Sequence, residues 1–186
     1  LGVEVTVITC FPNFPNGKVF KGYKNKLKQI ENIDGIKVIR VWSFIQPNKG
    51  KWLRILDYLS FAISSFFAGL FKRTDIIIGT SPQFFTCFSA YMLSIFKRKP
   101  WVFELRDLWP ESIYATGAMK RSLLLRFIEW LEVKMYRNAS LVVSVTNSFK
   151  KKLIEKGIKS NRVQVVTNGS NQEKFSNQQP DFRLKE

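Results

Sequence analysis

The stretch Val102-Phe103-Glu104-Leu105-Arg106-Asp107-Leu108-Trp109-Pro110-Glu111-Ser112 opens as an apolar run and breaks into charge, an aromatic ring and a proline. An apolar strand that ends in Arg106-Asp107 delivers polar side chains to the rim of a sheet. In open α/β sheets, ligands bind at the rim formed by the carboxyl ends of the strands. Trp109-Pro110 ends the strand, because proline lacks an amide donor and fixes its own φ. The same residues also suit a plain strand-to-helix turn with an Asp cap.

Outward from this stretch, runs rich in Val and Ile predict strands over residues 3–9, 36–42, 75–80, 101–105, 140–145 and 162–167. Most are apolar without alternation, as in strands covered on both faces of a parallel sheet. Helical patterns fall between them, over 52–71, 83–96, 120–137 and 147–156. Strands alternating with helices predict an α/β fold with a Rossmann-like, doubly wound, mostly parallel sheet. The tail from Ser170 is polar and has no strand pattern.

A chain of 186 residues suits one domain with a sizeable core. Thirty Lys and Arg against 14 Asp and Glu give a net charge of +16, which favours polyanionic partners: nucleic acid, anionic lipid or phosphorylated substrates. Zinc-finger spacing, an RNP-like aromatic strand and an arginine-rich arm are all missing, so no nucleic-acid partner is expected. The chain has no His, which excludes His-based acid/base chemistry and His-ligated metal within it. Cys10 and Cys87 stand apart and read as free, buried thiols in a reducing compartment.

Three loops carry the remaining signals. Phe11-Pro12-Asn13-Phe14-Pro15-Asn16-Gly17 follows the first strand, with Lys18, Lys21, Tyr23 and Lys24 after it. Rings and cations at a strand's carboxyl end suit a sugar with a nearby phosphate, and they equally suit a surface hairpin. Gly79-Thr80-Ser81-Pro82 ends another strand. Its small residues allow close approach, its amides suit an anion, Ser81 suits an N-cap and Pro82 suits a first helical turn. Asn168-Gly169 is a turn signal after the last strand.

The run VFELRDLWPES, with the opening GVEVTVITCFPNFPNGKVFKGYK, resembles the amino-terminal domain of bacterial family 4 glycosyltransferases of the GT-B type. The resemblance is to the branch of L-fucosamine transferases in O-antigen and colanic acid assembly, and it runs from Gly2 to about Phe175. It implies an acceptor domain over residues 1–169, and a linker over 170–186 toward a carboxyl-terminal donor domain. Relatives carry an earlier strand, a glycine-rich loop and a helix ahead of the position of Leu1. The implied activity is retaining sugar transfer to a lipid-linked glycan in cell-surface polysaccharide synthesis. Neither cofactor nor metal is implied. The implied donor is a nucleotide sugar, UDP-linked, and the implied acceptor is an undecaprenyl-pyrophosphate-linked glycan. The paired glutamates of such enzymes lie in the donor domain, so these 186 residues alone are expected to be inactive.

Carried onto this chain, the resemblance makes Arg106 and Asp107 the catalytic candidates. Arg106 stands where many relatives have His, and arginine cannot act as a base; it can neutralise developing charge or pin a phosphate. Phe11, Asn13, Phe14, Lys18, Tyr23, Trp109 and Glu111 are the acceptor-side candidates. Thr80, Ser81, Asn168 and Gly169 face the donor cleft in this reading.

Residues 58–71 hold fourteen positions without charge, and a spanning helix needs about 20. A core helix is the preferred reading, ahead of an interfacial helix or partial insertion. Leu124, Phe127, Ile128, Leu131 and Met135 predict a core stripe on the helix at 120–137. Peripheral attachment to the inner face of the cytoplasmic membrane is expected through Trp52, Arg54, Lys120, Arg121, Arg126, Trp130 and Lys134. A non-catalytic basic module binding nucleic acid is the alternative from another class, and an epimerase-like half of a different nucleotide-sugar enzyme is a further one.

Overall fold

The computed structural model describes residues 2–47, 50–108 and 123–169. The chain forms β1 (Thr6–Cys10), β2 (Lys28–Ile33), β3 (Ile36–Val41), α1 (Lys51–Leu70), β4 (Ile77–Thr80), α2 (Phe84–Lys97) and β5 (Trp101–Leu105). After these come α3 (Leu123–Asn138), β6 (Leu141–Ser144), α4 (Asn147–Glu155), a short 3-10 turn at Ser160–Arg162, and β7 (Val163–Val165).

The second half is built of successive βαβ units. β4, β5, β6 and β7 lie side by side in chain order, all parallel. A helix crosses back between each pair of described neighbours, which is what parallel pairing requires. Trp101, Phe103 and Leu105 alternate with Val102 and Glu104 on β5. All but Glu104 are buried, as expected of a central strand covered on both faces. Phe103 meets Tyr136 of α3 edge-on, with ring centroids 4.7 Å apart, and Met135, Val142, Leu153 and Val163 close the core around them. Such a ring pair contributes about 0.5–1.5 kcal/mol beyond its buried area.

The first half is a second, three-stranded sheet in the order β1-β3-β2. β1 runs parallel to β3, and β2 is antiparallel to it. The β2–β3 hairpin turns through Asp34-Gly35, both at positive φ (52° and 81°), the two-residue turn whose twist matches paired strands. Sequence reading missed β2, because Lys28-Gln29-Ile30-Glu31-Asn32-Ile33 is mostly polar. Arg40 on β3 ties the sheet together: its Nε pairs with Glu31 and its Nη1 donates to the Cys10 carbonyl at 3.1 Å.

Two helices depart from expectation. On α3 the buried positions are Leu125, Glu132, Met135 and Tyr136, while Phe127 is exposed and stacks on Trp130. Ile128, Leu131 and Met135 of the predicted stripe do pack on the core, so the buried face is rotated from the expected one by less than a quarter turn, away from Phe127; the Leu124 side chain lies outside the described residues. Helix α1 was read as a core helix, yet only one side of it is covered. It packs on α2 through a buried contact between the Ser65 and Ser89 hydroxyls at 3.0 Å, and through Gly69, where any Cβ would strike Leu93. By length and composition alone, its span from Trp52 to Leu70 is also sufficient to cross a membrane, which a window of fourteen uncharged residues did not suggest.

Candidate functional site at the strand ends

The polar residues released at the ends of β4 and β5 are joined to one another and to the segment after β7. The Thr80 hydroxyl donates to Glu104 Oε2 at 2.7 Å. The other oxygen of Glu104 lies 3.7 Å from Arg106 Nε. Arg106 Nη2 in turn donates to Asn168 Oδ1 at 3.3 Å. Four side chains from three strand ends thus form one chain of contacts across the rim. The carboxylate fixes the direction of the guanidinium, which stays half-exposed. An always-charged fork held this way can bind a phosphate or stabilise negative charge as it develops.

Ser81 sets the backbone beneath this chain. It is buried, and its hydroxyl accepts from the Arg106 amide at 2.8 Å and more weakly from the Asp107 amide at 3.5 Å. Its own amide donates to the Glu104 carbonyl at 2.9 Å. It is therefore neither an N-cap nor an open anion donor: the bonds that suited those roles are spent on bracing β4 against β5. The N-cap of α2 is Gln83, and Pro82 precedes the helix after a cis peptide instead of opening its first turn. Asp107 is half-buried beside this brace, and no described residue bonds its carboxylate. Gly169 lies in the open.

Sequence reasoning named Thr80, Ser81, Arg106 and Asn168 separately and assigned no role to Glu104. A carboxylate inside the apolar run Trp101–Leu105 was the available signal. Burying a charge in a central strand is costly unless it is paired.

The loop after β1 is more closed than expected. Phe11 is fully buried and meets Tyr23 edge-on at 6.5 Å, so it serves the core and cannot touch an acceptor. Tyr23 is half-buried beneath the Arg40 guanidinium, 5.0 Å from the ring centroid. Asn13 Nδ2 donates to the Phe11 carbonyl at 2.8 Å, shaping the loop from inside. Gly17 is at φ 61°, and a Cβ there would lie 2.2 Å from the Gln46 carbonyl oxygen, so the loop is seated on residues 46–47 and only glycine fits. Phe14 and Lys18 alone among the described acceptor-side candidates face solvent. Trp109 and Glu111 lie outside the described residues, as do Lys120 and Arg121.

Of the membrane candidates, Trp52, Arg54, Arg126, Trp130 and Lys134 are all exposed. Lys134 Nζ sits 5.2 Å from the Trp130 ring centroid, a cation–π contact on the outer side of α3. No cluster of three metal-ligating residues occurs among the described residues. Cys87 is buried and Cys10 half-buried, and both are free thiols. Burial pushes both upward from the ordinary thiol range, reinforced by the nearby carboxylate of Asp57 at Cys10 and that of Glu132 at Cys87.

Known proteins bear on this architecture. The family model described as "Glycosyl transferase 4-like domain" matches residues 1–169. WcaI of Escherichia coli (strain K12), whose name assigns it to colanic acid biosynthesis as a glycosyl transferase, is 27% identical over 181 residues. The match takes in 94% of this chain and 44% of WcaI, so the chain spans less than half the length of that relative. HepE of Anabaena, solved in complex with UDP and glucose, superposes with a TM-score of 0.50 at 16% identity, over 75% of this chain and 33% of HepE. At that identity the likeness concerns the fold alone.

Proposed function

The chain belongs to the glycosyl transferase 4-like domain family, and from that premise we propose that it is the acceptor-side domain of a retaining GT-B glycosyltransferase. In this reading the enzyme moves a sugar from a UDP-linked donor to a polyprenyl-pyrophosphate-linked glycan, within the synthesis of a cell-surface polysaccharide such as O-antigen, capsule or colanic acid. The name of WcaI supports the polysaccharide assignment.

The observation that carries the reading is the contact chain Thr80–Glu104–Arg106–Asn168 at the carboxyl ends of parallel strands. That is where an open α/β sheet binds its ligands. Arg106 holds a fixed positive charge toward the rim, suited to a donor or acceptor pyrophosphate. Asp107, whose carboxylate no described residue occupies, is placed to accept a hydrogen bond from a sugar hydroxyl. Phe14 and Lys18 are the exposed ring and cation on the acceptor side.

The test is transfer of radiolabel from a panel of UDP-sugars to polyprenyl-pyrophosphate-linked saccharides, by the protein that carries this domain together with a donor-binding domain. Activity with one donor, lost in Arg106→Ala while the melting temperature holds, supports the assignment. Undiminished transfer by that variant removes Arg106 from the site.

A further inference from the structure

The rim that carries Arg106 continues into the first sheet. The contacts Ser65–Ser89, Gly69–Leu93 and Leu70–Lys97 follow the same order along α1 and α2, so the two helices run parallel. α1 follows the carboxyl end of β3, and α2 follows that of β4. β1 is parallel to β3, and β5 to β4. The carboxyl ends of these four strands therefore open on one edge, the edge where such sheets bind ligands.

Asp57 stands at the β1–β3 end of that edge. Its carboxylate acts on Cys10, the last residue of β1, and on Ser43, which follows β3. Ser60 fastens the helix there: its hydroxyl accepts from the Phe44 amide and donates to the Asp57 carbonyl, both at 2.8 Å. The loop after β1 adjoins the same place, with Asn13 Nδ2 3.6 Å from Cys10 Sγ.

Asp57 is half-buried, yet it takes part in none of the ion pairs among the described residues. Beside it the fully buried Ser43 hydroxyl eases its charge without a well-formed hydrogen bond. In a chain with 30 Lys and Arg against 14 Asp and Glu, an unpaired carboxylate is the less expected outcome. The helix dipole does not account for it, because that benefit fades within the first turn and Asp57 lies in the second. A half-buried charge without a partner costs stability, and proteins keep such costs chiefly where function needs the group. An ionised carboxylate only accepts hydrogen bonds, and its two oxygens match neighbouring hydroxyls of a sugar. It repels a diphosphate, which belongs with Arg106.

We propose that Asp57 binds the acceptor: its carboxylate accepts hydrogen bonds from hydroxyls of the acceptor sugar, at the β1–β3 end of the rim. The proposal rests on the transferase reading and adds to it a residue that selects the acceptor.

The experiment uses the protein that carries this domain together with a donor-binding domain, as parent, Asp57→Asn and Asp57→Ala. Rates are measured with the UDP-sugar and the polyprenyl-pyrophosphate-linked saccharide that the panel above identifies, varying each in turn. Asp57→Asn is expected to raise the acceptor KM roughly tenfold, the worth of one hydrogen bond to a charged group, and Asp57→Ala to raise it further. The donor KM should stay within about twofold, and the melting temperature of Asp57→Asn should not fall. A purely structural residue would lower melting temperature and rate together and leave the acceptor KM alone. That result overturns the proposal, as does an unchanged acceptor KM in Asp57→Ala or a rise confined to the donor KM. No transfer by the parent with any pair overturns the transferase reading itself, and this proposal with it; parent activity with unaltered variants overturns this proposal alone.

Discussion

Arg106 serves two partners at once, Glu104 through Nε and Asn168 through Nη2, and a lysine in its place reaches one of them at most. Arg106→Lys in the active enzyme is accordingly expected to reduce transfer by about tenfold or more, equivalent to about 1.4 kcal/mol of lost transition-state interaction. Because the side chain is half-exposed, the melting temperature should hardly move. Equal falls in rate and stability would mark a structural role. Ser81 is the opposite case. Its buried hydroxyl accepts from the Arg106 amide, and Ser81→Ala strands that donor at a cost of about 1–3 kcal/mol, measurable by urea denaturation. A change within about 0.5 kcal/mol would mean that water replaces the hydroxyl.

Among elements, the parallel half was legible and the hairpin was not. Strands β4 to β7 are read from Val- and Ile-rich runs, most clearly on the central β5, where every residue but Glu104 is buried. β2 is hidden because Glu31 is there to pair with Arg40, so the strand carries charge where a pattern reader expects alternation. The Asp34-Gly35 turn was the one local clue. At the site, residue types pointed to the rim, but the loop after β1 misled. A phenylalanine after a strand looks the same in sequence whether it is exposed like Phe14 or buried like Phe11. The packing of β4 on α2 gives a test at this scale. A Cβ on Gly79 would lie 2.8 Å from the Ala90 Cβ and 3.3 Å from the Cys87 Cα. Gly79→Ala is expected to cost about 1–3 kcal/mol by overpacking. Adding Ala90→Gly should recover part of that loss, less the roughly 1 kcal/mol that glycine costs inside a helix. Strict additivity in the double-mutant cycle would place the strain elsewhere.

For the whole molecule, pH is the sharper probe, because the chain has 30 Lys and Arg but no His. Between the carboxylates and the thiols no side chain of this chain has an ordinary pKa. Asp57 sets the acid side. Burial raises its pKa, with the Ser43 hydroxyl opposing, so the folded state holds this proton more tightly than the unfolded state. Its contribution favours folding at low pH and is lost as pH rises from the ordinary carboxylate value through the raised one. Asp57→Asn should therefore stabilise the protein at neutral pH and make little difference below about pH 3.5. Cys10 and Cys87 set the alkaline side in the same direction. Both thiols are raised, chiefly by burial, so above about pH 8.5 the unfolded chain loses thiol protons that the folded chain retains. Stability is expected to fall there, with a slope from each thiol of up to about 1.4 kcal/mol per pH unit. Cys87→Ala should reduce that slope, even though the cavity lowers stability at every pH. Urea denaturation across pH 7 to 10 separates the two effects, since a cavity shifts the whole curve and a titration changes its steepness. An identical slope in Cys87→Ala and the parent chain would mean that Cys87 does not carry the linkage, which would then rest with Cys10.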